Sequence, residues 1–132
     1  MTEQHLINAF GGESQAHMRY LHFGNQAEKE KYYNVARLFR AIAHAEYVHA
    51  GDHHRELRHL DGGFVANSMA AFGPGDSLKN LKLAIDGETY EIEEMYPAYI
   101  EVANSREKKE HKEALNGHMP VKKCINNFLK GH

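Results

Sequence analysis

Ile42-Ala43-His44-Ala45-Glu46-Tyr47-Val48-His49-Ala50, residues 42–50, is the stretch on which the fold turns. It lies inside a helical pattern running from about Lys31 to Leu60, with Val35, Phe39, Ile42, Leu57 and Leu60 on one apolar stripe. Glu46 falls in that stripe and His49 follows one turn later, so both project from the core-facing side. A carboxylate and an imidazole aimed into a core need a partner, because burying an unpaired charge costs several kcal/mol.

Two neighbouring segments repeat the anomaly. A first helix is expected from about Gln4 to Glu28, with Leu6, Phe10, Ala16, Tyr20, Phe23 and Ala27 spaced by three and four, and Glu13 sits between Phe10 and Ala16. A third runs from a Ser77 N-cap to about Asn104, with Leu78, Leu81, Ile85, Ile92, Met95, Tyr99 and Val102 in register. Its stripe contains Glu88 and Glu91, and Pro97 should kink it or leave a local break. The Gly62-Gly63 and Gly73-Pro74-Gly75 clusters make 61–76 a loop. No strand-period segment is present. The reading is all-α.

One Glu at the edge of an apolar stripe is ordinarily solvated. Three helices each placing one at stripe centre point to a shared interior. Four carboxylates there would repel one another, and these stripes hold no Arg or Lys at matching positions. Metal ions are the other solution, and carboxylate with imidazole suits iron, manganese or zinc. Eleven His in 132 residues agree with metal chemistry, and the single Cys124 excludes a four-cysteine centre and an internal disulfide. A Glu from each of two helices plus Glu-x-x-His from each of two others is the di-metal pattern of ferritin-like bundles.

The rest of the composition narrows the options. With 16 basic and 18 acidic residues the net charge of −2 argues against nucleic-acid binding by bulk electrostatics. No apolar run approaches membrane-spanning length and the polar start Met1-Thr2-Glu3-Gln4-His5 has no signal core, so a cytoplasmic protein is expected. The character changes after Ser105. Residues 1–105 carry 9 basic and 15 acidic residues, whereas 106–132 carry 7 basic and 3 acidic. Arg106–Glu113 has no apolar face, and Gly117 and Pro120 interrupt the residues beyond it, so 106–132 reads as an atypical tail, in part helical but a poor core helix.

Gly12-Glu13-Ser14-Gln15-Ala16, Glu46-Tyr47-Val48-His49-Ala50 and Gly87-Glu88-Thr89-Tyr90-Glu91 closely resemble the rubrerythrin di-iron domain over about residues 4–104. The resemblance implies a ferritin-like antiparallel helix bundle over 1–105 with two iron ions. It implies a peroxidase that reduces hydrogen peroxide with electrons from a rubredoxin-like donor, here a separate protein. Carried over by position, Glu13, Glu46, His49, Glu88 and Glu91 are the iron ligands, and Glu91 changes its mode of coordination as iron changes charge. Tyr20 and Tyr96 match tyrosines whose hydroxyls bond the ligand carboxylates.

The family's fourth helix should carry a second Glu-x-x-His. Glu13 to Glu46 spans 33 residues, and the same interval from Glu88 ends at Val121, with Cys124 three further on. Neither is a ligand of that motif. Read one base out of frame with suitable codons, Lys112 to Ile125 gives Arg-Ser-Phe-Glu-Trp-Ala-Tyr-Ala-Gly-Glu-Lys-Met-His, which resembles the missing helix at the expected register. The nucleotide sequence of the gene decides between the two. As written, the tail leaves three options: a homodimer whose second chain supplies ligands through exchanged helices, a site for one ion or two weakly held, or an inactive bundle that associates through uncovered faces. An iron-binding or storage protein without efficient turnover is the chemical alternative.

The other histidines carry less. His53, with His54 and His59, is either a second metal-binding edge or a solvated helix end, the latter favoured. His17 is at best a hydrogen-bond partner behind the ligands, and His118 adds only to the histidine count. No pocket activates Cys124.

Overall fold

The computed structural model describes residues 2–105 and 109–131, without the side chains at positions 2, 102–115, 121 and 129. All its regular structure among these residues is helical: α1 (Thr2–Lys29), α2 (Tyr33–Glu56), α3 (Ser77–Tyr90), a π-helical turn (Glu91–Met95), α4 (Tyr96–Ser105) and α5 (Lys109–Lys130). None of these helices is long and apolar enough to cross a membrane.

A three-residue connection forces α1 and α2 into an antiparallel hairpin. Lys31 makes the turn in the left-handed region (φ 67°), and Tyr32 N–H donates to the Ala27 carbonyl, closing the end of α1. The pair is sealed by Tyr20, Phe23 and Phe39, whose rings meet at 5.5–6.1 Å between centroids, with Ala16, Ala27, Ala36, Ile42 and Ala43 buried around them. The alanines permit the close approach, as small residues at a helix seam do.

The second hairpin joins α3 and α4 to α5. Asp76 rather than Ser77 is the cap of α3, its carboxylate accepting from the Lys79 N–H. The break expected at Pro97 takes the form of the π turn just before it. Tyr96 N–H reaches back five residues to the Glu91 carbonyl. Pro97 has no N–H to continue an α ladder, so the surplus residue is absorbed there.

The tail departs most from expectation. The stretch read as a poor core helix folds as α5, and the helix continues through Gly117 and Pro120. Among its described side chains the buried ones are His118, Lys122 and Asn126, one every four residues. That is a helical stripe, but a polar one, and hydrophobic periodicity cannot register it. Val102 and the Arg106–Glu113 run lie outside the described side chains.

The long segment between Glu56 and Ser77 crosses α1 at Gly11. A Cβ on Gly11 would stand 3.0 Å from the Ala66 Cβ and 3.1 Å from the Asn67 carbonyl, so the approach needs glycine. Arg19 anchors the same segment by donating to the Ala71 carbonyl at 2.9 Å.

Candidate metal centre

Two apolar layers bracket a polar one. On one side lies the aromatic cluster around Tyr20 and Phe39, on the other Leu6 and Tyr96. Between them Glu13 from α1, Glu46 and His49 from α2, Glu88 from α3 and Glu91 from the π turn are all buried. The five side chains that sequence pattern placed on apolar stripes therefore converge. Glu46 and His49 meet as the spacing of three requires, Nδ1 to Oε2 at 2.9 Å.

The two tyrosines stand beside the carboxylates. Tyr20 donates its hydroxyl to Glu88 Oε1 at 2.9 Å, and Tyr96 donates to Glu13 Oε1. Each phenol is fully buried, and burial with the adjacent carboxylates pushes both well above the ordinary tyrosine range, so both remain donors.

α5 contributes what sequence pattern missed. Lys122 is fully buried with its ammonium among the four carboxylates. Nζ lies 3.2 Å from Glu13 Oε2, 3.3 Å from Glu46 Oε2 and 3.9 Å from Glu88 Oε2, and pairs directly with Glu91. Among the described residues the first three helices bring no cation to the carboxylates, and their buried Arg19 is spent on the Ala71 carbonyl. The fourth helix supplies one. His118, one turn earlier, is also buried, its ring stacked on His49 at 4.2 Å, with Nε2 3.2 Å from Asp52. His53 is buried too, not solvated, with Nε2 3.2 Å from the Tyr96 hydroxyl. His54 is exposed, and His17 spends Nδ1 on the Ala43 carbonyl at 2.6 Å, away from the centre. Cys124 is exposed.

The charges are not balanced. Burial and the nearby Glu13 push Glu46 well above the usual carboxylate range. Burial also raises Glu91 to about 7, although Lys122 pulls the other way. Burial acts against Glu13 too, but Lys122 and hydrogen bonds from Glu46 and His53 outweigh it and hold its carboxyl low. His49 is lowered to about 4, by burial above all, and His118 is lowered by the same cause. One ammonium thus neutralises less than the carboxylates would carry, and protons cover part of the difference.

This has a measurable consequence in the metal-free protein. Between about pH 4.5 and 6.5, the extra protons that Glu46 and Glu91 hold in the fold are offset by those that His49 and His118 decline. Above 6.5 the unfolded imidazoles lose their protons and the raised carboxyls dominate. The folded chain then binds more protons than the unfolded one, so stability falls as pH rises through about 7. Urea unfolding at pH 6.5 and 8 should show a loss of about 1–2 kcal/mol at the higher pH. An unchanged or higher midpoint at pH 8 would contradict this charge assignment.

The donors fit a divalent metal ion. Among the described residues, Glu13, Glu46 and His49 each offer a ligand atom within 4.8 Å of the others, and Glu13, His53 and His118 form a second such group. Glu88 Oε2 is buried without a hydrogen-bond partner among the described residues, its nearest cation the Lys122 ammonium at 3.9 Å. A pair of ions with the Lys122 ammonium still between them does not fit. Five cationic charges would then face four carboxylates, and no described side chain from α5 supplies a further carboxylate.

Comparison with known proteins agrees with this geometry. The Rubrerythrin family model matches residues 4–118. Rubrerythrin-2 of Clostridium acetobutylicum is 47% identical over 112 residues, covering 83% of this chain and 60% of that protein. Rubrerythrin of Nitratidesulfovibrio vulgaris is 38% identical over 105 residues, covering 77% of this chain and 53% of that protein. The chain thus spans about half to three-fifths of the length of these relatives. A structure titled the fully reduced, all-ferrous state of nigerythrin superposes with a TM-score of 0.90 at 27% identity, covering 99% of this chain and 65% of that one. The fold is therefore the ferritin-like bundle, and the relatives imply iron for the centre. A buried five-residue carboxylate and imidazole cluster, set in this bundle and matched over most of the chain, has one reading: the protein belongs to the rubrerythrin family.

Proposed function

We propose that the chain is a rubrerythrin-type peroxidase, reducing hydrogen peroxide at an iron centre held by Glu13, Glu46, His49, Glu88 and Glu91. The convergence of these five side chains from α1, α2, α3 and the π turn in a dry interior supports this reading. Bound iron would supply the electrons and open coordination positions for peroxide cleavage.

The chain's own residues have definable parts. Neutral His49 turns Nδ1 towards Glu46 Oε2 at 2.9 Å and Glu13 Oε2 at 4.0 Å, so this nitrogen is the one placed to share a metal ion with the two carboxylates. Tyr20 and Tyr96 orient Glu88 and Glu13 by hydrogen bonds, and their protons stay in place across the neutral range. Glu91 lies in the π turn, where the ladder is locally rearranged, so its carboxylate is the one best able to change position. Burial of the whole cluster excludes bulk water. Electrons come from an external rubredoxin-like donor in the cytoplasm, and the working unit is a homodimer in which exchanged helices could complete the ligand set.

A second reading is iron binding without efficient turnover. The position of Lys122 favours it, because a cation already stands among the donors. Anaerobic ferrous titration followed by peroxide separates the two. The peroxidase reading expects stoichiometric ferrous binding, then oxidation by about one peroxide per two irons within seconds. Binding with oxidation no faster than free ferrous iron establishes the second reading instead.

A further inference from the structure

We propose that Lys122 is the resident counter-ion of the carboxylate cage, and that its ammonium and a bound metal exclude one another. The inference rests on the reading of the cage as a metal site and adds what controls its occupancy.

A lysine is almost never fully buried unless paired, and Lys122 is paired with Glu13, Glu46 and Glu91 and lies near Glu88. Its three N–H donors are spent on oxygens that a metal would use. Protonated, it has no lone pair to offer a metal. A divalent ion bonds carboxylate oxygens at about 2.0–2.2 Å. Placed on Glu13 and Glu46, such an ion would come within a few ångströms of Nζ, with like charges in a poorly screened interior. The two cations compete for the same oxygens, and one must leave.

The cage therefore has a cation of its own. Without metal, Lys122 relieves the repulsion among carboxylates drawn from α1, α2, α3 and the π turn. With metal, the Lys122 side chain must swing out, and α5, which carries it, must adjust. The cation stands one residue beyond Val121, where the Glu13-to-Glu46 interval carried on from Glu88 ends, so the fourth helix offers competition in place of coordination.

The test uses the full chain, freed of metal, and manganese(II) alone as probe. Mn(II) bound per chain is measured by equilibrium dialysis, and melting temperature with and without Mn(II), for the native chain and for Lys122→Met. The expected result is at least tenfold tighter Mn(II) binding by Lys122→Met, a lower melting temperature for it without Mn(II), and recovery when Mn(II) is added. The native chain should melt at nearly the same temperature either way. Equal, tight binding by both proteins would overturn the competition and leave the metal-site reading standing. No binding by either would remove the metal-site reading and the competition with it. Should Lys122→Met fail to fold, amine acylation of the native chain decides: Lys122 should be protected without metal and become reactive at high Mn(II). Protection under both conditions, with Mn(II) bound, overturns the proposal.

Discussion

Glu13→Ala should lower the unfolding free energy of the metal-free protein by about 2–3 kcal/mol, the scale of a buried charge-assisted hydrogen bond lost where the cation keeps other partners. Glu13 accepts from Tyr96, pairs with Lys122 at 3.2 Å and lies 3.9 Å from His53 Nε2. Truncation takes the carboxylate acceptor from the buried Tyr96 hydroxyl, leaving it only the weaker imidazole neighbours His53 and His118, and removes a carboxylate that the local field keeps ionised. The remaining carboxylates still surround Lys122, which keeps the loss at this level. Glu13→Gln retains the volume and a carbonyl acceptor, and should cost about half as much, since neutral hydrogen bonds are roughly half as strong as charged ones. Chemical denaturation of the three proteins checks the series. A loss under about 1 kcal/mol for Glu13→Ala would mean that the pair does not carry the stability assigned to it.

Phe39→Ala should be more damaging, by a different route. Its ring is fully buried, 5.9 Å from Tyr20 and 5.5 Å from Phe23. Removing a buried Phe typically costs about 3–5 kcal/mol, from lost transfer energy and the cavity left behind. Chains near this size lose roughly 3–5 °C of melting temperature per kcal/mol, so a fall of about 10–20 °C is expected by calorimetry. The effect should also reach the metal centre. Phe39 supports the ring of Tyr20, whose hydroxyl holds Glu88, so ferrous affinity should fall modestly with stability. Phe39→Leu, which fills more of the cavity, should recover much of both. A drop of only a few degrees for Phe39→Ala would show that α1 and α2 can collapse onto the gap.

These two substitutions also mark what sequence could and could not reveal. Phe39, Ile42 and Ala16 announce themselves by helical spacing, and so does the misfit of Glu13, Glu46, Glu88 and Glu91 within their stripes. Burial of a carboxylate is legible because it breaks an apolar pattern. Lys122, His118 and Asn126 break no pattern, because the buried side chains of α5 among the described residues are all polar. Nothing in a run of Lys, Asn and His distinguishes such a face from a solvated one. Its character comes from the carboxylates opposite, which belong to other helices. His53 is hidden for the same reason: a histidine near a helix end is usually wet, and here Tyr96 and the His118 ring of α5, 4.7 Å away between ring centroids, cover it.

The π turn settles a matter of bookkeeping between the two halves of the molecule. Glu13 lies 16 residues before the end of α1, and Glu46 lies 13 after the start of α2. In the other half Glu88 precedes Lys122 by 34 residues, against 33 from Glu13 to Glu46. The halves differ by a single residue, and the widened turn at Glu91–Met95 is where a helix lodges one without losing phase. Allowing for it, the counterpart of Glu46 is Lys122 itself and not Val121: across the molecule's internal pseudo-symmetry, an acid on one side answers to a base on the other.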